Sequence, residues 1–222
     1  MSTEYHKIQT IFKRDLKTKK IIEGDYSLPE FDYLKNNDWV FTEKVDGTNI
    51  RVIWDGNDVV FAGKTEDASL PTFLLYKLQE LFEGTANKEK LRAAFPDIAA
   101  FISSDPDAPV VTLYGEGYGA KIQKGGDNYI RNGVDFVLFD VKIGNWWLRR
   151  EDVEDVARKL GIRSVPIIGT GTLQTAIETV RKGFKSQWGD FTAEGIVARP
   201  ATELFTRSGE RIITKIKHRD FK

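Results

Sequence analysis

Lys44 stands in Thr42-Glu43-Lys44-Val45-Asp46-Gly47-Thr48-Asn49, where a lysine is followed two residues later by an acid and a tight-turn glycine. That pattern suits a nucleophilic amine. Free lysine is protonated at neutral pH and cannot attack, so it needs neighbouring positive charge or desolvation to lose its proton. Candidates for that charge lie far along the chain, in Ile213-Thr214-Lys215-Ile216-Lys217. Strand alternation there puts Lys215 and Lys217 on one face and Ile212, Thr214 and Ile216 on the other. Two cations side by side suit a phosphate, and an exposed edge strand decorated with charge is the plainer alternative.

Other residues invite similar pairs of readings. Lys64 follows a strand and is either a phosphate contact or a solvated hairpin end. Glu194, in Phe191-Thr192-Ala193-Glu194-Gly195-Ile196-Val197, runs straight into an apolar strand, which is awkward for a solvated carboxylate. A metal or nucleotide contact would explain it, since oxygen ligands suit Mg²⁺. Glu116 lies in the glycine-rich stretch Gly115-Glu116-Gly117-Tyr118-Gly119, read as a loop, where it could accept hydrogen bonds from a ribose or act as a turn acid. Phe139 beside Asp140 could stack on a base or fill a core.

The elements that must position these residues follow from period and punctuation. Before Trp39 the chain shows no long helical period, and Ser27-Leu28-Pro29-Glu30 reads as a turn. Val40, Thr42 and Lys44 share one face of a predicted strand. Ile50 to Trp54 is β-branched and aromatic, and Asp55-Gly56-Asn57-Asp58 turns it back into Val59-Val60-Phe61. Leu74, Leu78 and Leu81 predict a helix closed by Gly84, and Lys88 to Ser103, interrupted by Pro96, predicts further helix. Strands are expected at Val110 to Tyr114 and Phe136 to Val141, with a turn at Gly144-Asn145. Amphipathic helices are expected around Val153 to Leu160 and Leu173 to Val180, and strands at Gly195 to Ala198 and Arg211 to Lys217. Hairpins interspersed with a few helices predict an α+β fold with mostly antiparallel sheets.

Composition bounds the class. The chain has 222 residues, 41% of them hydrophobic, which suffices for a substantial core. It has no cysteine and two histidines, so a thiolate zinc site or a disulfide framework is excluded and a histidine-rich metal site is not possible. The absence of an apolar span or signal-peptide core predicts a cytoplasmic protein. Basic and acidic residues balance at 33 each, which argues against strong, sequence-independent attraction to polyanions. The two ends depart from that average. Residues 1–20 carry six basic residues against two acidic, and so do residues 207–222. Brought together they make a basic face; left apart they are solvated tails.

Taken in order, Glu43-Lys44-Val45-Asp46-Gly47-Thr48-Asn49, Lys64, Tyr114-Gly115-Glu116, Phe139-Asp140, Ala193-Glu194-Gly195-Ile196-Val197 and Lys215-Ile216-Lys217 resemble the six successive motifs of the covalent nucleotidyltransferase superfamily. Within it, Gly-Thr-Asn after the Lys-x-Asp step and Phe-Thr-Ala-Glu-Gly resemble the type 2, nick-sealing ATP-dependent RNA ligases. DNA ligases and capping enzymes usually carry arginine where this chain has Asn49. The resemblance implies a nucleotidyltransferase fold spanning residues 1–222 as a single domain. It also implies a lysyl-AMP intermediate on Lys44, formed from ATP with Mg²⁺ or Mn²⁺ and passed to an RNA 5′-phosphate for sealing to a 3′-hydroxyl. By the same resemblance, Glu43 and Phe139 would meet adenine, and Asn49 and Glu116 would orient nucleotide and ribose. Lys64, Lys215 and Lys217 would hold phosphate, Glu194 would bind metal, and Asp46 and Asp140 would organise the site. Gln123 and Arg199 also match positions of that group. Lys64 stands where the group commonly has arginine, which replaces a bidentate fork by a point charge. The chain ends five residues after Lys217, so neither the carboxy-terminal domain of type 2 ligases nor an OB-fold is expected, and a partner protein could supply its role. A DNA-ligase-like or GTP-dependent enzyme, and a non-catalytic RNA-binding module that keeps the nucleotide pocket, are the competing readings.

Overall fold

The computed structural model describes residues 4–65, 67–98 and 109–222. In chain order the strands are β1 (Gln9–Thr10), β2 (Phe12–Arg14), β3 (Ile21–Tyr26), β4 (Trp39–Lys44), β5 (Thr48–Trp54), β6 (Val59–Ala62), β7 (Val111–Gly119), β8 (Val134–Ile143), β9 (Trp146–Trp147), β10 (Arg163–Ser164), β11 (Ile167–Gly171), β12 (Gly195–Pro200) and β13 (Thr214–Lys217). The described helices are α1 (Pro29–Tyr33), α2 (Thr72–Phe82), α3 (Thr85–Ala94), α4 (Gly126–Tyr129), α5 (Arg150–Leu160) and α6 (Leu173–Lys182). They form two compact units. A central unit holds residues 46–164 and the first residues up to Tyr5, and a terminal unit holds 6–45 and 165–222. The expected α+β class with mostly antiparallel sheets is what the chain adopts; β1 with β13 and β8 with β10 are the parallel pairs.

In the terminal unit the sheet order is β1-β13-β12-β4-β11. Alternation sorts β4 into two faces. Trp39 and Phe41 join a core with Leu173, Ile177 and Val180 of α6 and with Ile196 and Ile216, while Val40, Thr42 and Lys44 take the opposite face. Thr172 caps α6 by accepting a hydrogen bond from the Thr175 amide at 3.2 Å.

In the central unit the order is β10-β8-β7-β5-β6, with β9 on β8. Ile50, Val52 and Trp54 face α2, α3 and α5 in one core with Leu74, Leu78, Phe82, Leu91 and Val153. Asp55 accepts the amides of Asn57 and Asp58, which makes the predicted turn between β5 and β6.

Three expectations need correction, and a fourth extends past the described residues. The glycine-rich stretch 115–119 is not a loop: it is the second half of β7. Its glycines mark close packing, since a Cβ on Gly115 would meet the Phe136 ring at 2.2 Å and one on Gly117 would meet Leu74 at 2.6 Å. The first forty residues hold three short strands and α1, the latter beginning at Pro29, where a turn is expected. The second predicted helix is borne out as far as it is described: α3 ends at Ala94, the helix breaks at Phe95 and the chain is helical again over residues 96–98, and positions 99–103 lie outside the described residues. The last strand begins at Thr214 rather than Arg211, whose one ladder contact is an isolated bridge to Phe205.

Candidate active site

Three neighbouring strands of the terminal unit set a row of residues side by side. Lys44 on β4 lies opposite Gly195 on β12, which lies opposite Lys217 on β13. One step along, Thr42, Val197 and Lys215 form the parallel row. Directly opposed residues share a face, so Lys44, Lys215 and Lys217 all project from the side away from α6. Glu194 precedes β12 and ties the row together. One of its carboxylate oxygens meets Lys44 Nζ at 2.8 Å and the other meets Lys217 Nζ at 2.7 Å. These three side chains are 19%, 10% and 15% exposed for Lys44, Glu194 and Lys217, so the charges are only partly solvated and their attraction is weakly screened. Gly195 is required by the packing: a Cβ there would lie 2.0 Å from the Ile216 carbonyl oxygen. The acid placed awkwardly before an apolar strand is thus a counterion between two lysines.

Glu43 points the other way. It is opposite Ile196 on the core face and 1% exposed. Its carboxylate accepts hydrogen bonds from Ser186 Oγ at 2.6 Å and the Gln187 amide at 2.8 Å. Burial pushes its carboxyl above the usual carboxylate range, opposed by those two donors. Neither donor is visible from the sequence, since Ser186 and Gln187 lie 143 and 144 residues away.

The central unit begins at Asp46, so the boundary between units falls inside the lysine motif. The Asp46 amide donates to Tyr129 Oη at 3.1 Å, and Gln123 Nε2 donates to the Gly47 carbonyl at 3.0 Å. A Cβ on Gly47 would sit 2.2 Å from the Gly117 carbonyl oxygen, so only glycine allows the motif to run this close to β7. On the sheet face turned from the helices, Asn49 lies opposite Glu116, Arg51 opposite Tyr114, and Tyr114 opposite Asp140.

Phe139 is placed by an irregularity. The ladder between β7 and β8 passes from Tyr114 with Asp140 to Gly115 with Leu138, leaving Phe139 as the extra residue of a bulge. A bulge turns two successive side chains to one side. Phe136, Leu138 and Val141 stay in the core, while half-buried Phe139 and fully buried Asp140 leave it. Tyr5 closes over both. Its hydroxyl donates to Asp140 Oδ2 at 2.6 Å, and its ring lies 5.2 Å from Phe139, 5.0 Å from Tyr114 and 5.7 Å from Trp147. Burial pushes the Tyr114 phenol up to about 12. Tyr5, Tyr129, Trp147 and Ser186 carry no motif signal, and the tyrosine so near the amino terminus reads from sequence as tail.

Of the expected site residues, the terminal unit brings Lys44, Glu194 and Lys217 into contact and puts Lys215 on the same face. The central unit groups Asn49 with Glu116, and Phe139 and Asp140 around Tyr5. Lys64 lies two residues beyond β6, exposed and with no ion pair to a described residue; its neighbour Gly63 accepts a hydrogen bond from buried Arg51 at 2.7 Å. Arg199 is half-buried on β12, opposite Val40. Among the described residues no three His, Cys, Asp or Glu gather as a metal cage, and no helix is long and apolar enough to cross a membrane.

Comparison with known proteins places this geometry. The fold is similar to solved structures of an RNA ligase from Naegleria gruberi. A variant of it with ATP and Mn aligns with a TM-score of 0.60 at 16% identity, covering 99% of this chain and 62% of that one. A second variant with ATP and Mn aligns at 0.58 and 18% identity, covering 85% and 52%. The form with PPi gives 0.58 and 18%, covering 96% and 61%. This chain therefore spans between about half and three fifths of those structures, and at such identity the likeness concerns the nucleotidyltransferase fold. Residues 37–217 match the sequence profile of the RNA ligase family, a span that begins just before β4 and ends on Lys217. The chain belongs to the RNA ligase family.

Proposed function

We propose that this chain is an ATP-dependent RNA ligase whose nucleophile is Lys44. The observation that carries the reading is the arrangement of Lys44, Glu194 and Lys217, a half-buried amine held by a carboxylate that is itself shared with a second cation. In this arrangement Glu194 is shared between the Lys44 and Lys217 amines. The carboxylate is also the group in the row best suited to a divalent cation. A carboxylate oxygen suits Mg²⁺ or Mn²⁺ carried in with nucleotide phosphates. Glu194 would help hold that cation, which would supply positive charge to the phosphates, while Lys217 on the shared carboxylate is the neighbouring positive charge that favours an uncharged Lys44 amine.

The chemistry then proceeds in balanced steps. Deprotonated Lys44 Nζ forms a bond to the α-phosphorus of ATP as the bond to the bridging oxygen breaks, and pyrophosphate leaves with that electron pair. An oxygen of an RNA 5′-phosphate next attacks the phosphorus of lysyl-AMP, and the amine of Lys44 leaves and takes up a proton. A 3′-hydroxyl finally attacks the activated 5′-phosphate, loses its proton and expels AMP. Lys215 and Lys217 would bear the charge of the phosphates, with Lys64 as a further phosphate contact. Phe139, turned out of the core by its bulge, would stack on adenine. Asn49 and Glu116 would orient nucleotide and ribose. Asp46 would organise the lysine motif, and Asp140 would fix the Phe139 segment. Glu43, with its carboxylate committed to Ser186 and Gln187, would act by holding β4 in place.

Intact-protein mass after incubation with ATP and Mg²⁺ tests the reading. A gain of one AMP that is absent in Lys44→Ala and absent with GTP is expected; no adduct in the parent chain would sink it. Sealing of nicked and single-stranded RNA by the same preparation then reports the acceptor.

A further inference from the structure

The two basic ends of this chain of zero net charge meet in the terminal unit. β1 runs parallel to β13, with Gln9 opposite Thr214 and Thr10 opposite Lys215. The pairing is locked by the Ile11 amide donating to the Lys215 carbonyl at 3.2 Å and by Thr214 Oγ1 donating to the Gln9 carbonyl at 3.1 Å. Beside it opens a cleft of about 590 Å³ lined by Lys7, Lys13, Arg14, Lys215, Lys217 and Arg219, with Asp220 as its one lining acid. Several of these charges are already matched: Arg14 by Asp220 at 2.5 Å, Lys13 by Asp25 at 2.7 Å and Lys217 by Glu194. Lys7 and Arg219 are exposed and make no ion pair with a described residue. The lining therefore keeps a surplus of positive charge on a protein with zero net charge.

A cleft walled by lysine and arginine is unsuited to an apolar metabolite and suited to a row of phosphates. Lys215 and Lys217 are the inner part of that row, next to the amine of Lys44. Lys7, Lys13 and Arg219 extend the basic lining onto the amino-terminal segment and past the end of β13. We propose that this cleft binds the backbone phosphates of the RNA substrate. The inference rests on the RNA ligase reading for the identity of the polyanion, while the cleft itself does not.

The test reverses the two unmatched charges in the full chain, Lys7→Glu with Arg219→Glu. Binding of a fluorescent 5′-phosphorylated RNA is followed by anisotropy across a salt series, with AMP-adduct mass read on the same protein. Each phosphate contact to a single strand contributes about 0.7 to the slope of log affinity against log salt, so the double variant is expected to lose about 1.4 of slope and roughly tenfold or more in affinity near 0.1 M salt. The adduct is expected to persist, which also shows that the variant is folded. Affinity and slope equal to the parent's would overturn the proposal. Loss of the adduct with RNA binding unchanged would overturn it too, by assigning the cleft to nucleotide polyphosphate. A parent chain that forms no adduct, yet whose RNA affinity collapses on charge reversal, would defeat the ligase reading and support the cleft. The milder Lys7→Ala, Arg219→Ala pair should give a smaller change in the same direction.

Discussion

Both units hold a carboxylate out of bulk water, and they do it by opposite means. In the terminal unit Glu194 is balanced by charge, between Lys44 and Lys217, at a sheet face with some solvent access. In the central unit Asp140 is fully buried and held by the Tyr5 hydroxyl within a ring of aromatic side chains. An ion in such a row has a second charged neighbour and some solvent as alternative partners, at a cost that rises with burial. A buried hydrogen-bonded group has no such partners, since every alternative leaves a polar atom unmatched. The lysine face is built to rearrange and the aromatic face to stay.

Glycine substitutions probe how firmly each sheet is set. Gly195→Ala would drive a Cβ into the Ile216 carbonyl, backbone that cannot give way without separating β12 from β13. A loss of about 3 kcal/mol is expected, lowering the melting temperature by roughly 6–12 °C, together with loss of the AMP adduct. Gly117→Ala meets the end of the Leu74 side chain, which can shift, and about 1–2 kcal/mol is expected. Equal effects in thermal melts would mean that the close approach at Gly195 is not what holds the row together.

Removing the shared carboxylate tests the rearrangeable face. Glu194→Ala removes the one carboxylate that positions both Lys44 and Lys217 and that would hold a divalent cation, and adduct formation in a single turnover should slow by about 10²-fold, as for loss of one charge-positioning group elsewhere. Lys217→Ala leaves the Lys44–Glu194 pair intact and should slow the same step through weaker phosphate binding. A normal rate in both variants would show that neither group serves Lys44. On the fixed face, Tyr5→Phe removes one charge-assisted hydrogen bond to Asp140. About 1.5 kcal/mol of stability should go with it, with a higher KM for ATP if Asp140 holds the Phe139 segment for nucleotide. An unchanged KM would confine Tyr5 to a structural role.

These contrasts were unequally legible in the sequence. β4 and β13 were readable because alternation and branching agree there, and the lysine rows follow from that alternation alone. What alternation cannot supply is the partner strand. That Glu194 falls between Lys44 and Lys217 depends on β12 pairing with both β4 and β13, contacts that span 150 residues in the case of Lys44. The glycines of β7 misled because glycine serves both turns and close packing, and only the position of Phe136 and Leu74 decides between them. Phe139 was legible as a residue type and not as a position, since a bulge has no local signature here. Tyr5 was invisible because its value comes from a side-chain bond across 135 residues.

The smallest expected effects concern pH, and they separate the two units again. Glu43 and Tyr114 are both acids whose proton is held more tightly in the folded state, chiefly because burial penalises the charged form. An acid raised on folding contributes stability in full below its unfolded value and loses it as pH climbs through the folded one. For Tyr114 the window runs from 10.0 to about 12, so the chain should lose stability over that interval. Tyr114→Phe should flatten this alkaline decline relative to the parent while leaving the acid limb alone. For Glu43 the loss begins above the ordinary glutamate value of 4.5, and Glu43→Gln should flatten the slope there and not at high pH. Denaturant melts at closely spaced pH values would resolve the two. If each substitution changed the limb assigned to the other, burial would not be the cause of either shift, and the core face of β4 and the aromatic face of β7 would have to be held by something other than the packing described.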